Sequence, residues 1–195
     1  MRLFPMVMAL GLLVPIVSGG ETQMKSLTGK RVVLVIASQN FRDEEFSEPY
    51  DLLTRAGATV KVACSKLTPA RGMLGKVVTP DLTLADVRVE ELDALIFIGG
   101  SGATEYYENP IAHKLAVDAV QRQKILGAIC LGPGTLARAG VLKDKKATCF
   151  LSASTILEQG GAKLVRLPVV QDGKIITGNG PQAAKLFAEA ILNAL

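Results

Sequence analysis

The stretch "LGAICLGPG", residues 126–134, joins an apolar run to an abrupt break. The run ends on Cys130, and the chain turns at once through Leu131-Gly132-Pro133. A free cysteine in such a place has two readings. It is a small buried hydrophobe, as most free cysteines are, or it is a thiol held up for chemistry. In either case an apolar segment of strand length stops where a helix starts. That is the signature of a strand–turn–helix unit in a parallel sheet.

Working outward, strands and helices alternate. "RVVLVIAS" (31–38) is a β-branched run of the kind buried on both faces. A helix is expected over 43–56, closed by Gly57, and then a strand over 58–64. "KVVTPDLTLADV" (76–87) reads as a short strand and a turn, and "DALIFIGG" (93–100) as a buried strand ending on two glycines. Asn109 caps a helix over 110–123, with Pro110 in its first turn. The strand 124–130 and a helix from Gly132 to about Gly140 follow. Strands are expected at 146–151, 163–173 and 174–178, and a last helix at 181–195. This alternation calls for a mainly parallel sheet with helices on both faces. Sites in such folds lie at the carboxyl ends of the strands. Three such ends stand out: Asn40–Glu45, Gly99-Gly100 and Cys130.

Composition narrows the function classes. With 195 residues, 49% hydrophobic and 21% charged, the chain has material for one domain with a full core. The net charge is +4, but the basic residues are scattered and form no stripe with aromatics, so nucleic-acid binding is not expected. The first twenty residues differ from the rest. Arg2 is their only charge, Leu3 to Val17 is nearly all apolar, and Val17-Ser18-Gly19 offers small residues for cleavage. This resembles a secretory signal peptide and is short for a membrane span. An uncleaved anchor, or a start at Met24, are the alternatives. Cleavage would place the protein in the periplasm or outside the cell, with no stable membrane contact; otherwise it is cytoplasmic. Cys64, Cys130 and Cys149 form no CxxC and no metal spacing, and no metal or cofactor is expected. A Cys64–Cys149 disulfide is open to an exported chain, but sequence alone does not establish it.

Chemistry concentrates at two points. In "FRDEEFSEPYDLLTRAG", read as a helix, Glu44, Glu48, Asp51 and Arg55 make one polar stripe. Glu45, Pro49, Leu52, Leu53 and Ala56 fall on the neighbouring apolar stripe, so the pattern turns the Glu45 carboxyl inward. Pro49 takes away the usual partner of the Glu45 carbonyl, so a bend or an irregular start is expected there. Burial would raise that carboxyl's pKa and keep it a donor. Alternatively Glu45 swings outward and serves the helix dipole. The second point is Gly127-x-x-Cys130-x-Gly132, which has the logic of a nucleophile elbow. A thiol before a helix N-terminus is expected to have a lowered pKa. The amides of Leu131 and Gly100 would form an oxyanion hole, although "GG" by itself equally marks a tight turn.

Taken together, "AICLGPG", "IGG", "EEFSEP", "VVTPDLTLADV" and "DGKIITGNGP" resemble the DJ-1/PfpI family over residues 30–195, in the family's order. The resemblance implies a flavodoxin-like three-layer α/β/α sandwich and a homodimer. It carries the reactive cysteine onto Cys130, the conserved acid onto Glu45 and the oxyanion-hole backbone onto Gly100 and Leu131. It implies attack of Cys130 on a small reactive carbonyl or a glycated adduct, as in glyoxalase or deglycase activity. The alternative is a non-enzymatic oxidative-stress sensor or chaperone-like protein with an oxidisable Cys130. Two departures stand out. PfpI-type peptidases carry a histidine where this chain has Leu131, so peptidase activity is disfavoured. In the DJ-1 branch a histidine comes from the segment matching "KATCFL", where this chain has Phe150 beside Cys149. The sole histidine, His113, is expected on the surface with no catalytic role.

Overall fold

A computed structural model describes residues 25–195. The leader segment 1–20 lies outside the described residues. In chain order the strands are β1 (Arg31–Val35), β2 (Gln39–Phe41), β3 (Thr59–Cys64), β4 (Ala70–Gly72), β5 (Val77–Val78), β6 (Leu82–Thr83), β7 (Ala94–Phe97), β8 (Ile125–Ile129), β9 (Lys146–Ala147), β10 (Lys163–Leu164), β11 (Val169–Asp172) and β12 (Ile175–Gly178). The helices are α1 (Asp43–Arg55), α2 (Pro110–Gln121), α3 (Gly132–Arg138), α4 (Ser154–Gln159) and α5 (Ala184–Ala194).

The central sheet has seven strands in the order β11-β12-β8-β7-β1-β3-β6. All neighbours run parallel except the hairpin β11–β12, which turns at Asp172-Gly173. β1, β7 and β8 hold its centre, and β7 and β8 are wholly buried. This is why they read as continuous apolar runs rather than alternating ones. Two cores flank the sheet. One gathers Leu34, Ile36, Ile96 and Ile129 with Phe46 and Leu53 of α1 and Phe187 and Ile191 of α5. The other gathers Val33, Leu95, Leu126 and Ala128 with α2, Leu136 of α3 and Leu157 of α4. The result is the expected three-layer α/β/α sandwich. Among the described residues, no helix is long and apolar enough to cross a membrane.

Several elements differ from the sequence reading. The expected strand 146–151 is paired only over Lys146–Ala147, then turns away into a short 3-10 helix. The stretch 163–173 splits into β10 and β11 on either side of Pro168, which has no ladder donor. The last helix opens with a 3-10 turn over Pro181–Ala183. α1 runs from Asp43 to Arg55 with Pro49 inside it. β5 is the short strand expected within 76–87, whereas α4 and the strands β2 and β4, which join β5 in a small sheet of order β2-β4-β5, have no counterpart in the reading. Cys64 and Cys149 are free and lie in opposite cores, so no disulfide joins them.

The small sheet stands over the carboxyl ends of the central strands and is tied to α1 by a buried carboxylate. Asp43, in the first turn of α1, accepts hydrogen bonds from the amides of Leu74 (2.9 Å) and Lys76 (2.8 Å). It thereby holds the β4–β5 turn that carries Met73 toward the site. Replacing Asp43 with Ala leaves two amides without their partner. Urea unfolding is expected to show a loss of about 2 kcal/mol.

Candidate active site

Cys130 follows β8 directly and precedes α3. Its backbone takes φ +62°, the left-handed region that residues with a side chain seldom occupy. Such strain costs about 1–3 kcal/mol and persists only where the surroundings over-determine it. Here two hydrogen bonds do so. The Cys130 amide donates to the Gly178 carbonyl (2.9 Å), and the Cys130 carbonyl accepts from the Phe150 amide (2.9 Å). The second bond orients the Cys130–Leu131 peptide, whose N–H faces the sulfur. Tyr107 supports the next peptide by donating its hydroxyl to the Leu131 carbonyl (3.1 Å).

Glu45 enters from α1 on the other side. It is completely buried, while Glu48 and Asp51 of the polar stripe are exposed, so the helical pattern identified the inward acid. Glu45 Oε2 accepts from the Gly99 amide at 3.1 Å. Gly99 is required there because a methyl group would sit 2.5 Å from both Cys130 Cβ and Glu45 Oε2. Gly100, at φ +98°, packs against the backbone of Asn40 and Arg42 and leaves no room for a side chain. Thus three distant segments meet within contact distance. Glu45 Oε1 is buried and has no hydrogen bond of good geometry to any protein atom.

The electrostatics follow from burial. Desolvation pushes the Glu45 carboxyl from 4.5 up to about 7, against the pull of Cys130 and the Gly99 amide. With that carboxyl charged, burial and its repulsion push the Cys130 thiol up to about 12, while the Gly100 and Leu131 amides pull it down. The expected lowering by the helix start is therefore outweighed: α3 has seven residues, and the thiol is buried beside an acid. The pair loses a first proton near neutrality and resists losing a second. These steps belong to the pair rather than to either residue.

Cys130 opens on a cavity of about 450 Å³ whose lining includes Arg42, Met73, Gly100, Leu131, Phe150 and Gln182. Phe150 is 44% exposed and forms its wall where the family resemblance implies a histidine. His113 does not line it. Contrary to expectation His113 is half-buried, with Nε2 donating to the Tyr107 carbonyl at 2.7 Å. Arg42, Met73 and Gln182 were not legible as site residues. Arg42 reaches sideways in a two-pronged pair with Glu44 (2.8 and 2.9 Å). Among the described residues, no cluster of His, Cys, Asp and Glu is arranged to hold a metal.

A cysteine at a strained strand–helix elbow, a buried acid and converging amides at the carboxyl edge of a parallel sheet define a flavodoxin-like α/β protein with a cysteine-lined pocket. The chain belongs to the DJ-1/PfpI family, whose sequence profile matches residues 30–194. It is 30% identical over 166 residues to the glutathione-independent glyoxalase DJR-1.2 of Caenorhabditis elegans, covering 85% of this chain and 89% of that protein. It is 30% identical over 149 residues to the deglycase PfpI of Pyrococcus furiosus, covering 76% of this chain and 90% of that one. The crystal structure of a ThiJ/PfpI domain protein from Brachyspira murdochii superposes with a TM-score of 0.83 at 32% identity, over 85% of this chain and 97% of that one.

The raised carboxyl has a thermodynamic consequence. Glu45 is protonated in both folded and unfolded states below about pH 4.5, so its full stability contribution is present there. As pH rises toward about 7 the unfolded chain releases the proton and the folded one keeps it. Stability is therefore lost across this window, by roughly 3 kcal/mol. Glu45→Gln removes the titration. Urea unfolding between pH 4.5 and 7.5 is expected to show a markedly flatter profile for the variant than for wild type.

Proposed function

We propose that the protein is a cysteine-dependent glyoxalase or deglycase acting on small reactive carbonyls or their adducts. The observation that carries this reading is the buried Glu45 packed behind Cys130, which itself lines a cavity of about 450 Å³. A carboxyl poised near neutral pH suits both directions of proton transfer, and this supports a site working without imidazole. The relatives named glyoxalase and deglycase support the substrate class.

In this reading the proton rests on Glu45 and the negative charge on Cys130. A charged Glu45 would leave a buried carboxylate oxygen unpartnered, which is costly. A protonated Glu45 instead donates toward the sulfur, where the Gly100 and Leu131 amides also meet the charge. With an α-oxoaldehyde, the sulfur bonds to the aldehyde carbon and the carbonyl π pair moves onto oxygen, facing those amides. Glu45 gives that oxygen its proton. The resulting carboxylate takes the proton from the former aldehyde carbon, whose C–H pair forms a carbon–carbon double bond and leaves an enediolate. That proton is returned to the neighbouring carbon while the hydroxyl proton of the first carbon passes to the neighbouring oxygen, leaving the thioester of a 2-hydroxy acid. Water then cleaves the thioester, releasing a hydroxy acid and restoring the thiol.

A second reading is favoured by one observation: no imidazole lines the cavity among the described residues. Cys130 would then serve as a peroxide sensor, with protonated Glu45 holding a sulfinate oxygen. Methylglyoxal turnover separates the two. Wild type is expected to turn it over, Cys130→Ser to lose activity by at least a thousandfold, and His113→Ala to stay within about threefold, well short of the 10²–10⁴ typical of a lost acid–base group. No turnover by wild type, together with peroxide-dependent mass gain at Cys130, selects the sensor.

A further inference from the structure

A second cavity, of about 370 Å³, lies beside the first, and the two share Phe150 and Gln182 as lining. Each is of a size that holds a small ligand. The polar lining of the second cavity is donor-rich: Arg166, Asn179 and Gln182, with the hydroxyls of Thr148 and Ser154. No aspartate or glutamate lines it among the described residues. Glu158 is close enough to Cys149 to help push its thiol up, but it is outside the lining. Arg166 is exposed and makes no ion pair among the described residues. On the apolar side, Leu164 and Val165 continue the wall that Phe150 begins.

This chemistry specifies a ligand. Guanidinium and amide N–H groups gathered without a competing carboxylate recognise anionic oxygens, and a guanidinium does so with two parallel hydrogen bonds. The apolar wall accommodates a short hydrocarbon stem. A three-carbon dicarbonyl at Cys130 is too small to occupy both cavities, whereas an adduct of that carbonyl with a larger carrier spans them. Phe150 stands at the junction. Its ring packs over Gly180, where a methyl group would sit 3.1 Å from ring carbon Cδ2, so it bounds both cavities at once.

We infer that the second cavity is the subsite for the carrier of a carbonyl adduct, and that this carrier bears a carboxylate or a phosphate that pairs with Arg166. The inference rests on the carbonyl chemistry proposed for Cys130 and narrows its substrate to anionic adducts. Arg166 is then a specificity residue remote from the reacting bond.

Binding tests this without turnover, so its failure is distinct from failure of the proposed reaction. Three stable thioether ketones serve as probes: the S-acetonyl derivatives of N-acetylcysteine (a carboxylate), of 2-mercaptoethyl phosphate and of N-acetylcysteamine, which is neutral. Calorimetry with full-length Cys130→Ser protein is expected to show at least one anionic probe binding about tenfold more tightly than the neutral one. Which anion gains identifies the source of the charge. Adding Arg166→Gln should weaken the favoured anion five- to tenfold and leave the neutral probe within twofold, and Arg166→Lys should restore part of the loss. Equal binding of all three probes, no binding at all, or an Arg166→Gln effect of the same size on the neutral probe overturns the inference.

Discussion

One buried negative charge shared by Glu45 and Cys130 is the constraint on which the site is built. Both groups are removed from water, and burial opposes charge on either. A second charge beside the first is opposed further by repulsion at short range. The pair therefore holds one proton and one charge over a wide range of pH. In the proposed reading the charge is on sulfur, and the pair then carries a nucleophile and a proton donor at the same time. In water, such a combination exists only as a minor species.

The rest of the fold serves this juxtaposition. The parallel centre of the sheet brings the ends of β7 and β8 side by side, placing Gly99, Gly100 and Cys130 together. α1 packs across from α5 and lowers Glu45 onto Gly99, where only a glycine leaves room. The left-handed backbone at Cys130 is held by Gly178 on one side and Phe150 on the other. The same Phe150 amide that fixes the elbow belongs to the residue that walls both cavities. A change in this segment is thus expected to alter oxyanion geometry and ligand choice together.

Much of this arrangement was legible in the sequence. Cys130 stood out because an apolar run ended on it before Gly132-Pro133, and strand-to-helix turns leave that mark. Glu45 stood out because helical periodicity separated it from Glu44 by a single step around the axis. What escaped were contacts made across long sequence separations. The burial of Asp43 depends on amides 31 and 33 residues away, and an acid in a first helical turn ordinarily reads as solvated. The strands of the small sheet have two or three residues each, too few for a period to show. The balance that sets the thiol's charge escaped for a related reason. Sequence shows that a helix begins after Cys130, but it shows neither the depth of the thiol nor the charge of its neighbour.

The central claim is that the first charge of the pair sits on sulfur. Ultraviolet absorbance of the thiolate against pH, in a Cys64→Ser/Cys149→Ser background, tests it most directly. The account predicts that thiolate appears below the ordinary cysteine value of about 8.5, and that Glu45→Leu moves the midpoint upward by removing the donor. Thiolate appearing only near 12 in the otherwise wild-type protein, and at lower pH in Glu45→Leu, would place the charge on the carboxylate and contradict the account.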